Sequence, residues 1–200
     1  MNSYYVVDSN PDGESIPYFF ESEWSPELPS FELPRSSPVG VMFASRYTLK
    51  AKVESLSVDV LLGDFIASVN FVRLCESLEA EFISVPTEIV TARNTKVVKD
   101  YYFFCVTGRV SMLDRGASKF ELMDERLLSP RGERGDFDVF SRIDKFVIKE
   151  GVRLDFFYCE EIKRVVCSAK FKLEFESLGL TGLNFTEIND AFVYAPLEGF

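Results

Sequence analysis

The stretch from Val165 to Ile188, VVCSAKFKLEFESLGLTGLNFTEI, admits two readings, and the choice between them decides the fold. Lys170 to Glu176 alternates apolar and polar residues as a half-exposed strand does, yet Phe171, Phe175 and Leu178 also fall at the i, i+4, i+7 spacing of one helical face. A second stretch settles it. Shifted by 100 positions, Ser68, Phe71, Glu76, Ser77 and Leu78 coincide with Ser168, Phe171, Glu176, Ser177 and Leu178. The flanks agree in kind, Phe65-Ile66-Ala67 against Val165-Val166-Cys167. In the earlier stretch no alternation competes: Phe71, Leu74, Cys75 and Leu78 form a helical stripe after Ser68, a good N-cap. Both stretches are therefore read as helices, capped by Ser68 and Ser168. Gly179 stands where a C′ glycine ends a helix in a left-handed turn, and Gly182 suits a positive-φ turn into the next strand. Leu183 to Ile188 then answers the strand Glu81 to Val85, which makes 58–85 and 158–188 a candidate internal repeat of strand, helix and strand.

Outward from these units the chain reads mainly as strands. Ser3 to Val7 is rich in β-formers. Arg46 to Phe65 suggests a strand pair, clearest at Ser57 to Leu62, and Pro86 is expected to stop the strand Glu81–Val85. Val97 to Val106, with Tyr101-Tyr102-Phe103-Phe104-Cys105, is apolar on both faces, as a central strand is; Val110 to Leu113 is expected to continue it. Leu113 to Asp136 reads as charged and irregular, with Asp114 and Arg115 turning at Gly116, and Phe137–Ile148 and Arg153–Tyr158 as further strands. The expected fold is α+β: a mainly antiparallel sheet with two short helices from two similar strand–helix–strand units, the whole of 1–200 forming one domain.

Residues 8–38 differ from the rest. They hold six of the nine prolines and seven carboxylates against Arg35 alone, interleaved with Trp24, Leu28, Phe31 and Leu33. Proline at that density forbids long helices and interior strands. The stretch is read as an extended acidic arm anchored by its aromatics. Within it Glu21, Glu23, Trp24, Glu27, Phe31 and Glu32 are the candidate partner-binding residues. Trp24 suits either an anchor or an interface hot spot, and Glu21, Glu23 and Glu27 either a solvated face or partner-facing charge.

The 200 residues contain no histidine, which removes the commonest general base, the commonest zinc ligand and every Ser-His or Cys-His pair. Cys75, Cys105, Cys159 and Cys167 are far apart in apolar stretches and read as reduced core thiols rather than a disulfide framework or zinc site. Neither GxxxxGK[ST] nor GxGxxG occurs, so no phosphate cradle is indicated. With 32 acidic residues, a glycosidase-like carboxylate pair is formally available but no particular pair stands out. No catalytic residue, cofactor or metal is assigned. The net charge of −10 opposes direct nucleic-acid binding and suits a basic partner protein. No apolar run reaches the ~18 residues of a membrane helix, and Met1-Asn2-Ser3 opens no secretory signal. A cytoplasmic binding protein is expected; the alternative is a structural or self-assembling component of a phage or secretion system.

Three stretches carry a resemblance. Asp64–Val85 runs from an apolar strand through a Ser-capped helix to a strand containing FISVP; Tyr101–Leu122 is YYFFCVTGRVSMLDRGASKFEL; Val165–Ile188 ends in helix, GLTG turn and strand. With the YYVVDS opening, the chain resembles, over nearly its whole length, the immunity proteins of bacterial polymorphic toxin systems, of the domain-of-unknown-function 1629 and immunity protein 11 and 43 type. The resemblance implies a cytoplasmic antitoxin without catalytic residues. It would block a cognate effector, of type VI secretion for example, by protein–protein contact. A basic, nuclease-like toxin is the partner that the charge suits.

Overall fold

The structure is a computed structural model that describes residues 3–10, 20–31, 37–93, 97–130 and 137–196. In chain order the elements are β1 Tyr4–Ser9, β2 Ser22–Ser25, β3 Tyr47–Ala51, β4 Val60–Leu61, β5 Ile66–Ser68, α1 Val69–Ser77, β6 Phe82–Val90, β7 Tyr101–Val106, β8 Arg109–Val110, β9 Lys119–Leu122, β10 Phe140–Lys145, β11 Phe156–Cys159, β12 Arg164–Ser168, α2 Ala169–Ser177 and β13 Leu183–Glu187. They form a six-stranded sheet in the order β2-β3-β6-β7-β5-β4, a five-stranded sheet in the order β13-β1-β12-β11-β8, and a β9–β10 pair. The fold is α+β. The large sheets are mixed rather than purely antiparallel, because β3 runs parallel to β6 and β8 parallel to β11.

The two strand–helix–strand units are built alike. In each, an antiparallel strand from elsewhere in the chain fills the gap between the strands that flank the helix: β7 between β5 and β6, β1 between β12 and β13. Ser68 and Ser168 cap their helices, accepting from the N–H groups of Phe71 at 3.3 Å and Phe171 at 3.2 Å. The second stretch is thus a helix despite its alternation. Phe171 and Phe175 bury their rings among Phe71, Phe104 and Phe156, and a strand would have parted them from this core. Gly179 takes φ +62° and Gly182 φ +112°, both in the left-handed region.

Alternation along the filling strands sorts three cores. Tyr5 and Val7 of β1, with Tyr102, Phe104 and Val106 of β7, face the helices and a core shared by both sheets. Tyr4 and Val6 face away, into a second core closed by Phe140, Ile143 and Phe120 of the β9–β10 pair. Tyr101, Phe103 and Cys105 face the outer side of the six-stranded sheet, where residues 20–31 and 37–44 lie over them.

Four expectations are corrected. The strand pair in Arg46–Phe65 does not form: β3 pairs with β2 and β6, whereas Val60 and Leu61 pair with β5. Pro86 does not end its strand, because β6 meets β3 only from Thr87 onward, so a missing N–H on that side breaks no ladder. The central strand starts at Tyr101 rather than Val97, and the residues after Gly108 do not continue it: β8 leaves for the other sheet and pairs with β11. The stretch Leu113–Asp136 is not wholly irregular; it contains β9, whose partner β10 comes later in sequence. Asp114 does close the expected turn, its Oδ1 accepting from the N–H groups of Gly116 and Ala117.

Candidate functional site

Ser22–Ser25, within the stretch read as an acidic arm, forms an edge strand of the six-stranded sheet. Glu21, Ser22, Glu23 and Trp24 alternate, so β2 can lay Trp24 on the outer face while its carboxylates point the other way. Proline at position 26 confines this pairing to the edge. The Trp24 ring stands edge-on to Tyr47 at 5.6 Å and to Phe103 at 5.8 Å. Phe31 stands edge-on to Phe65 at 5.2 Å, Phe43 at 5.8 Å and Phe103 at 6.2 Å. Phe103 lies fully buried at the centre of this cluster. Of the two roles open to Trp24, the contacts are those of an anchor, and Phe31 is held in the same way. Each aromatic pair of this kind contributes roughly 0.5–1.5 kcal/mol beyond its area.

The carboxylates remain outside. Glu21 pairs with Lys52 at 2.5 Å, both side chains about 70% exposed. The hydrogen bond and charge of Lys52 hold the Glu21 carboxyl below its ordinary range, and Glu21 in turn raises the Lys52 ammonium. Glu23 lies opposite Lys50 in the β2–β3 register. Glu27 is exposed, and Glu32 lies outside the described residues. Two of the arm's seven carboxylates thus lie beside lysines, Lys50 of β3 and Lys52 just after it, a pairing that the spacing within the arm alone does not disclose. Beside β2 runs a groove of about 630 Å³ whose lining includes Phe20, Glu21, Glu23, Lys50, Lys52 and Val90. Its charges are of both signs.

Two features escaped the sequence reading. The first is Asp59, buried within the Ser57–Leu62 stretch. Its carboxylate accepts from Ser68 Oγ at 2.8 Å, Lys99 Nζ at 2.8 Å, and both the N–H and the hydroxyl of Thr181 at 3.1 Å. It fastens the cap of one unit to the GLTG turn of the other. The second is the turn Pro38-Val39-Gly40-Val41, which exposes Val39 and Met42; its sequence signal was the proline and glycine among apolar residues.

The buried Glu161 carboxylate accepts from Ser111 Oγ at 2.6 Å, the Met112 N–H at 3.1 Å and Cys159 Sγ at 3.2 Å, which occupies it structurally. Among the described residues no three His, Cys, Asp or Glu side chains gather as metal ligands. All four cysteines are buried, and burial raises their thiols, that of Cys105 to about 12, far from the thiolate a nucleophile needs. No helix among the described residues is long and apolar enough to cross a membrane.

What the molecule offers is surface: a sheet edge bearing charge of both signs, an apolar turn, and helices that leave one side open. No curated protein matches the chain. The sequence model of an immunity protein family, Imm11, matches residues 36–190, most of the chain, and the chain belongs to that family.

Proposed function

We propose that this protein neutralises one cognate bacterial toxin by binding it in the cytoplasm of the cell it protects, with no chemical step of its own. The family match over residues 36–190 carries this reading. The engagement of Asp59, Glu161 and the buried thiols in structural hydrogen bonds and packing supports binding over catalysis. The toxin is a basic protein, nuclease-like in charge and delivered by a polymorphic toxin or type VI secretion system. Its attraction to a chain of net charge −10 hastens encounter. In the arm, Glu21, Glu23, Glu27 and Glu32 guide the approach, while Trp24 and Phe31 hold the segment that bears them.

The test first identifies the partner by co-purification from the native host and then uses that toxin. Co-expression should restore growth to cells making the toxin, and the purified pair should form a complex of fixed stoichiometry. Reversing Glu21, Glu23 and Glu27 to Lys should slow association about tenfold at low salt and far less at physiological salt, where screening acts within about 8 Å. Protection without a complex, or turnover abolished by one carboxylate substitution, would refute the binding reading. Association indifferent to both the triple reversal and salt would remove the arm from it.

A further inference from the structure

The Lys52 N–H donates to Glu21 O at 2.9 Å. In the antiparallel ladder of β2 on β3 the backbone groups of Glu21, Glu23 and Ser25 therefore turn inward, and those of Ser22 and Trp24 turn outward. No described strand lies beyond β2. The N–H and C=O groups of Ser22 and Trp24 thus stand along a bare sheet edge, the template on which another chain adds a strand. The other edges of the two large sheets differ. β4 and β8 are two residues long. On β13 the Ile188 N–H donates to Tyr4 O, which turns Phe185 outward, and the Phe185 N–H is already taken by Asn184 Oδ1 at 3.0 Å.

The side chains of β2 say which strand fits. Glu21 and Glu23 share one face, and their inner neighbours on that face are cations, Lys52 and Lys50. Opposite charges on neighbouring strands stabilise a sheet and like charges oppose it. Glu21 is bridged to Lys52 at 2.5 Å, whereas Glu23 is exposed and has no ion pair among the described residues. The outer flank of this acidic row is matched by a second row of cations. On the other face Trp24 is only half-buried, which suits an apolar neighbour. A second copy of this chain paired antiparallel along β2 would set carboxylate beside carboxylate, so the same residues that admit a basic strand reject self-pairing.

We infer that the toxin docks on the free edge of β2 by adding a strand to the six-stranded sheet, with Lys or Arg beside Glu21 and Glu23 and an apolar residue between them beside Trp24. The inference rests on the proposed toxin-binding function and specifies where and how that binding takes place.

The experiment uses the full-length protein and the toxin that co-purifies with it from the native host, made inactive by mutation. Amide hydrogen exchange is followed by NMR with and without the toxin. The Ser22 and Trp24 N–H groups should exchange at least about tenfold more slowly in the complex, because new ladder bonds protect them, while that of Phe185 on β13 stays as it was. Ser22→Pro removes an outward N–H and leaves the β2–β3 ladder whole. It should dissociate at least about tenfold faster, with the wild-type melting temperature. Glu23→Lys should associate more slowly than Glu23→Gln at low salt. A complex in which Ser22 and Trp24 exchange as in the free protein would overturn the inference and leave the function standing. Wild-type dissociation of Ser22→Pro would do the same; should that variant melt lower, the exchange result alone decides. Equal association of the Lys and Gln variants would overturn the basic strand. Slow exchange at Ser22 and Trp24 without toxin, in a species of twice the mass, would give the edge to a second copy and overturn the inference. If no toxin co-purifies, function and inference fall together.

Discussion

Around α1, Ser68 accepts from the Phe71 N–H and donates to Asp59 at 2.8 Å; around α2, Ser168 accepts from the Phe171 N–H and donates to Asp155 at 2.5 Å. The likeness continues through the filling strands. The first helical N–H of each unit, Val69 or Ala169, donates at 2.9 Å to the residue before that strand, Asp100 or Ser3. Tyr101 and Tyr4, the first residues of those strands, send their hydroxyls to the carbonyls of Val58 and Val152 at 2.7 and 2.8 Å. After each helix the chain turns left-handed, at Glu79 with φ +52° and at Gly179 with φ +62°.

The units part where side chains meet the rest of the molecule. α1 buries Phe71, Val72, Leu74 and Cys75; α2 buries only Phe171 and Phe175. Where α1 has Val72 and Leu74, α2 has Lys172 and Glu174, and Lys172 bridges to Glu176 at 2.7 Å along the helix surface. Asp59 is 4% exposed and joins both units, whereas Asp155 is 17% exposed and, beyond Ser168, holds Lys170 at 3.3 Å. One backbone plan thus supports an inner unit with covered helix flanks and an outer unit with open ones. What distinguishes them is not local geometry but how many sides of each helix the chain covers.

The sharpest way to break this comparison is at the turn where the units touch. A Cβ at Gly182 would lie 2.1 Å from Val60 O and 2.7 Å from Val58 Cγ2, in a backbone conformation that side chains rarely adopt. Gly182→Ala should destabilise by more than about 4 kcal/mol in urea unfolding, or abolish folding. Gly179→Ala, in open space and in the conformation that Glu79 already adopts, should cost about 1 kcal/mol. Similar losses at both glycines would mean that the contact between the units yields.

Next in size is the pair of capping aspartates. Asp59→Ala strands the Lys99 ammonium, the Ser68 hydroxyl and the Thr181 N–H, and should cost about 3–5 kcal/mol. Asp155→Ala, at the partly solvated site, should cost about 1 kcal/mol, since its partners can turn to water. Equal denaturation midpoints for the two variants would make Asp59 an ordinary cap partner rather than a tie between units.

The smallest effects separate the helix flanks. Leu74→Ala should cost about 2–5 kcal/mol, and Glu174→Ala, at the matching position of α2, should stay within about 0.5 kcal/mol. Thermal unfolding of both variants checks this. A loss at Glu174 as large as that at Leu74 would show α2 to be as enclosed as α1.

Much of this plan was legible from residue order because it is local. A hydroxyl before an amphipathic run closes its cap within three residues, so Ser68 and Ser168 announced both helices, and the shared pattern resolved the ambiguity at Phe171–Phe175. Proline density at 8–38 spoke against interior strands, and Ser22–Ser25, the strand described among its prolines, lies at a sheet edge. Tyr101–Val106, apolar on both faces, read as a central strand, and β7 lies between β6 and β5.

Partners were another matter. Periodicity assigns a face to a strand but names no neighbour, so nothing in Tyr4–Ser9 foretold its place between β12 and β13, nor in Arg109–Val110 its departure to the other sheet. Pro86 misled because its effect depends on which side of the strand is paired at that residue. Asp59 looked like one polar position in a strand pattern; its burial is satisfied by Thr181, 122 residues away. Which rings Trp24 packs against, and whether Val39 and Met42 lie inside or outside, was likewise decided by tertiary structure. Backbone capping and chain stiffness act over a few bonds and leave their mark in neighbouring residues. Strand pairing, ion pairing and burial join groups that only the closed chain brings within reach.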